Sequence, residues 1–134
     1  MAKLSEIEGI GEKYAEKLKA CGVTTQAKLL EQGGTPAGRK ELISESGISD
    51  KLILKWINRA DLARVRGIGG EYADLLECAG VDTVPELAQR NANNLHAKME
   101  EVNEAKKLVR SMPSASMVTN WVAQAKTMDR AIHY

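Results

Sequence analysis

Along this chain apolar side chains return every three to four positions with polar residues between them, and no stretch alternates with a period of two for long enough to suggest a strand. The pattern predicts an all-α protein. Helices are expected at about 3–7, 12–21, 25–32, 36–46 and 50–60 in the first half, and at about 61–66, 70–79, 83–91, 94–110 and 114–128 in the second. Thr35-Pro36 and Ser49-Asp50 carry start signals, because a hydroxyl can cap the first free amides and proline suits the first helical turn. Thr83 and Ser114 are candidate N-caps, and Gly22 and Gly80 are candidate C-cap glycines. The inward face is expected to hold Ile10, Leu18, Trp56, Ile68, Leu76 and Trp121.

The pattern also repeats. Gly9-Ile10-Gly11-Glu12-Lys13-Tyr14-Ala15 returns 58 residues later as Gly67-Ile68-Gly69-Gly70-Glu71-Tyr72-Ala73, and Gly22-Val23, Leu29 and their counterparts Gly80-Val81, Leu87 keep that offset. Farther on, Trp56-Ile57 resembles Trp121-Val122 at an offset of 65, so the second copy carries about seven extra residues. The chain reads as a tandem duplication, 1–60 and 61–134. A copy of about 60 residues is near the lower limit for a useful core, so the second is expected to pack closely on the first. No Gly- or Ser-rich linker separates them, and the helix at 50–60 is expected to run through Asn58-Arg59-Ala60-Asp61 as a rigid junction.

A Gly-Ile-Gly turn between two short helices lets the backbone enter conformations costly for other residues, while the isoleucine folds back as a plug. The helix that follows begins with exposed N–H groups, which suit an anion such as phosphate. The pattern resembles the helix-hairpin-helix motif, and that resemblance implies sequence-independent gripping of a nucleic-acid backbone. Leu42-Ile43-Ser44-Glu45-Ser46-Gly47-Ile48-Ser49 resembles a further, degenerate hairpin, with a more worn counterpart at 109–114. Each copy then corresponds to a SAM-like five-helix arrangement. Through both turns, Asp61-Leu62, Ala79-Gly80-Val81-Asp82 and the two tryptophans, nearly the whole chain is similar to a bacterial family of unknown function with tandem helix-hairpin-helix repeats. That family is sometimes described as flap-endonuclease-like helix-3-turn-helix, which implies DNA binding by analogy.

Net charge is only +1, so attraction to phosphate must come from local patches. Residues 1–66 hold twelve Lys/Arg against nine Asp/Glu, and residues 67–134 hold seven against nine. In the first turn the candidate ligands are the amides around Gly9, Ile10, Gly11 and Glu12 with Lys13 and Lys17, opposed by the carboxylates of Glu6, Glu8 and Glu12. In the second they are Gly67, Ile68, Gly69 and Gly70, preceded by Arg64 and Arg66. Lys51, Lys55 and Arg59 follow an i, i+4, i+8 spacing that is expected to form a basic stripe. Lys98, Lys106, Lys107 and Arg110 form a weaker patch broken by acidic residues.

The same residues argue against other chemistries. Asp and Glu are scattered, without the paired carboxylates that hold Mg²⁺ for phosphodiester cleavage, so no enzymatic activity is expected. Cys21 and Cys78 lie outside any Cys-x-x-Cys spacing and are expected to be buried and reduced, and His96 and His133 add no ligand cluster, so neither metal nor cofactor is expected. No apolar run approaches membrane-spanning length and no cleavable leader is visible, so a soluble, cytoplasmic protein with no membrane partner is expected. The reading is DNA-backbone binding. The alternative is a protein-interaction or scaffold module with structural hairpins, and a third reading is a DNA-gripping accessory to a nuclease.

Overall fold

The computed structural model describes Leu4, Ile7 and residues 9–133. Among these residues the chain forms eight helices and no strand: α1 (Glu12–Ala20), α2 (Gln26–Gly33), α3 (Pro36–Ser46), α4 (Asp50–Leu62), α5 (Gly70–Cys78), α6 (Val84–Ala88), α7 (Ala92–Lys106) and α8 (Ala115–Lys126).

Local chemistry accounts for most of the ends. Thr35 Oγ1 accepts from the Gly38 N–H at 3.1 Å, and Ser114 Oγ accepts from the Met117 N–H at 3.2 Å. Thr25 and Asn91, which the sequence pattern did not single out, cap α2 and α7 through the Lys28 and Asn94 N–H groups at 3.1 and 3.0 Å. A cap of this kind stabilises a helix by about 1 kcal/mol. Thr83 stands at the N-cap of α6 but accepts no capping bond through its side chain. Gly22 and Gly80 have φ of +85° and +95°, and beyond them the Val23 and Val81 N–H groups reach back to Leu18 and Leu76 carbonyls at 2.9 and 2.8 Å. These bonds close both helices as expected.

Three expected spans change. Residues 61–66 are not a separate helix. Instead α4 runs on to Leu62, and the chain then turns through Val65 N–H to Leu62 and Ile68 N–H to Val65 bonds of 3.1 and 3.2 Å. The span 83–91 shortens to α6, because Gln89 and Arg90 donate three residues back and wind its end into a turn. The span 94–110 starts earlier under the Asn91 cap and stops at Lys106, where Lys107 takes a left-handed φ of 52° and Asn103 Oδ1 accepts from the Val109 N–H at 3.0 Å. The helix expected at 3–7 lies mostly outside the described residues.

The chain divides into two compact units, one made of the described residues through Asp61 together with 130–133, the other of Leu62–Asp129. In the first, Ile10, Leu18, Leu29, Leu42, Trp56 and Ile57 share a core with Ile132 from the chain end. That end is tied down by the Arg39 guanidinium, which donates to the Gly33 and His133 carbonyls at 2.9 and 2.7 Å, and by the His133 N–H, which donates to Gly34 at 2.7 Å. In the second unit Val65, Ile68, Leu76, Leu95, Val118 and Trp121 form the core, with α8 against α6 and α7.

The repeated aromatics serve packing. Trp56 and Trp121 are 0% and 2% exposed, and each meets its tyrosine at a tilt: Tyr14 to Trp56 at 5.1 Å, Tyr72 to Trp121 at 5.3 Å. Cys78 departs from expectation. It is exposed, because the inward place at the end of α5 goes to Ala79, and both thiols are free. Burial, then the Glu45 carboxylate, pushes the half-buried Cys21 thiol above its ordinary value, which disfavours the reactive thiolate.

Candidate functional site

Each Gly-Ile-Gly turn is built in the same way. Gly9 and Gly67 have φ of +93° and +96°, a region that favours glycine, and Gly11 and Gly69 then stand as extended N-caps of α1 and α5. Ile10 and Ile68 are 4% and 5% exposed and plug the two cores. Their amides are engaged as well, donating to the Ile7 and Val65 carbonyls at 3.1 and 3.2 Å. This corrects one expectation: Ile10 and Ile68 build the turns and keep no open donor for a ligand, because a tight turn needs that amide itself.

The open donors come one step later. Neither Gly11 nor Gly69 has a side chain to cap its helix, and the first helical bonds run from Ala15 to Gly11 at 3.0 Å and from Ala73 to Gly69 at 2.9 Å. The N–H groups of Glu12, Lys13 and Tyr14, and of Gly70, Glu71 and Tyr72, precede those bonds. By contrast α2, α3, α7 and α8 are capped by side chains. Nothing lies within 4 Å of where a Cβ would stand on Gly11 or Gly69, so both turns present open backbone. Glu12 and Glu71 sit in these first helical turns and compete with any anion for the helix dipole.

The basic residues are placed unevenly. Lys13 and Lys17 are exposed on α1, with Lys17 Nζ 5.9 Å from the Tyr14 ring centre. Lys51 and Lys55 are exposed on α4, but Arg59 is only 7% exposed and engaged with neighbouring groups, so the expected stripe breaks after two residues. The reason is geometric: at 3.6 residues per turn, a residue eight positions on has rotated by about 80°, which carries Arg59 from the lysine face toward Trp56. In the second unit Arg64 is half-buried and its Nη1 donates to the Asp129 carbonyl at 3.1 Å, whereas Arg66 is exposed. In the weaker patch Lys98 pairs with Glu101 at 3.9 Å.

Gln124, which sequence reasoning passed over, fixes the backbone just before the second turn. Its Oε1 accepts from the Arg66 N–H at 3.0 Å, and its Nε2 donates to the Arg66 carbonyl at 3.2 Å and to Asn120 Oδ1 at 2.7 Å. Gln124 follows Trp121 by three residues as Arg59 follows Trp56, but the two residue types differ, so the 65-residue offset gave no signal for it. His96 is also structural, with Nε2 2.9 Å from the Pro113 carbonyl and Nδ1 2.9 Å from Glu100.

One carboxylate cluster carries a pH signature. Burial, then the hydrogen bond and charge of Asp82, pushes the Glu86 carboxyl above its ordinary value, against the opposing pull of Arg90 at 3.8 Å. A raised carboxyl value in the folded state means that the contribution is fully present below the ordinary glutamate range and is lost as pH rises through the raised value. Glu86→Gln should therefore flatten the decline of thermal stability across that range, by a small amount because the pair is exposed and screened. Thermal melts of both proteins at a series of acidic pH values check this, and parallel pH profiles would refute it.

Among the described residues, no three His, Cys, Asp or Glu side chains are placed to hold a metal ion, and no helix is long and apolar enough to cross a membrane. Fold and turns thus define an all-helical protein in which one glycine-turn geometry occurs twice. The chain belongs to the DUF4332 family, a domain of unknown function, whose model matches residues 8–128. No match was found among curated proteins or among solved structures.

Proposed function

We propose that this protein is a non-enzymatic tandem helix-hairpin-helix module that binds DNA through its backbone, without sequence preference. The observation that carries the reading is the repeated pairing of a Gly-Ile-Gly turn with an uncapped helix start, at α1 and again at α5. Open amides at a helix N-terminus favour phosphate, and phosphate contacts do not read bases. Lys13, Lys17, Lys51 and Lys55 supply exposed positive charge in the first unit, and Arg66 does so in the second. The net charge of +1 argues for modest affinity.

Fluorescence anisotropy with labelled duplexes of unrelated sequence tests this. Affinity should fall steeply with salt and vary little with sequence, since counterion release dominates such binding. Arg66→Ala should keep the helical circular dichroism and melting behaviour and lower the salt slope by about one. Arg64→Ala is a less clean probe, because it also removes the bond to Asp129. No binding to single-stranded, duplex or branched DNA at low salt would reject the reading in favour of a protein-interaction module.

A further inference from the structure

Beside the second turn lies an open cleft of about 380 Å³, lined by Arg66, Asn120, Gln124, Thr127 and Met128. Its hydrogen-bond inventory is lopsided. Gln124 Oε1 is occupied by the Arg66 N–H, Asn120 Oδ1 is occupied by Gln124 Nε2, and the Thr127 hydroxyl donates to the Gln124 carbonyl at 2.8 Å. The donors that remain for a ligand are the Arg66 guanidinium and the Asn120 amide N–H groups, beside the Thr127 oxygen, which can still accept. None of the five lining residues is acidic. A cleft offering a guanidinium cation and directed amide donors, and lined by no carboxylate, suits a compact anion rich in acceptor oxygens. The volume lies at the low end of the range for small-ligand pockets.

We infer that this cleft binds a single phosphate group. The inference deepens the DNA reading and rests on it only for the source of that phosphate, which is a strand's backbone or a free phosphate ester. The site belongs to the second copy alone. At the matching repeat positions the first copy has Glu8 for Arg66, Lys55 for Asn120 and Arg59 for Gln124, so the same donor set is not rebuilt there. Arg66 supplies the charge, Asn120 supplies directed hydrogen bonds, and Gln124 holds the backbone from which Arg66 reaches.

Inorganic phosphate is the probe, titrated at constant ionic strength while ¹H–¹⁵N spectra follow the side-chain amides of Asn120 and Gln124. Saturable shifts at Asn120 are expected. Asn120→Asp keeps an acceptor for Gln124 Nε2 but replaces the donor with a negative charge, so phosphate affinity should drop at least about tenfold. Asn120→Ala, which adds no charge, should weaken binding by less, and it keeps the test decisive if the Asp variant folds poorly. Absent or unsaturable shifts, or equal affinity in both variants and the parent, would overturn the inference. The same variants in the DNA assay separate the sources. Loss of phosphate and DNA binding together identifies the DNA backbone as the source, whereas loss of phosphate binding with DNA binding unchanged, or already undetectable in the parent, identifies a free phosphate ester. DNA binding with no phosphate response at Asn120 rejects the cleft and leaves the DNA reading standing.

Discussion

Ile68→Asp is expected to unfold the second unit, with a loss of about 4 kcal/mol or more. Ile68 is 5% exposed in a core with Val65, Leu76 and Trp121, and its amide already closes the turn onto Val65. The substitution removes the apolar plug and places a carboxylate where its charge has no compensation, so two large costs act at one site. A unit of this size has little reserve, because small cores bury a smaller share of their surface and net stabilities are only several kcal/mol. Ile68→Val, which trims one methylene group, should cost only about 1 kcal/mol. Far-UV circular dichroism and thermal melts of both variants check the contrast. A near-parental melting temperature for Ile68→Asp would show that the residue does not plug the unit.

Much of this fold was legible because helical periodicity and cap chemistry are local. The starts of α3 and α8 could be read from Thr35-Pro36 and Ser114, and the ends of α1 and α5 from Gly22 and Gly80, since each signal acts within one turn of its residue. Longer-range placements were less legible. Ile132 reaches the first unit's core from the far end of the chain, with no repeat counterpart and no periodic segment to announce it. Arg59 looked like the third member of a basic stripe until helical drift carried it inward. In the candidate site, the turn glycines and Arg66 stood out by repetition and charge. Gln124 and Asn120 did not, because a neutral amide on a helix carries no signature until its partner is brought to it.

Gly67→Ala and Gly69→Ala, two residues apart, should separate the architecture of the second turn from its proposed use. At Gly67 the added Cβ would stand 2.8 Å from Trp121 Nε1, on a residue whose φ is +96°. Left-handed backbone costs a non-glycine residue about 1–2 kcal/mol. Trp121 is 2% exposed and packed against Tyr72, so it has little room to yield. Together these effects should cost about 2–4 kcal/mol. The equivalent Gly9→Ala should cost less, about 1–2 kcal/mol, because its Cβ would meet Trp56 Nε1 at an ordinary 3.7 Å. Gly69 has φ −98° and ψ −173°, which alanine adopts readily, and nothing lies within 4 Å of its added Cβ. Its replacement should cost no more than about 1 kcal/mol, the difference between a glycine and an alanine at an N-cap. Under the DNA reading, however, that methyl group enters the space a phosphate must occupy to reach the amides of α5. Gly69→Ala should therefore weaken DNA binding several-fold while its melting temperature falls by no more than about 4–8 °C. Full binding by Gly69→Ala would remove the second turn's backbone from the interface.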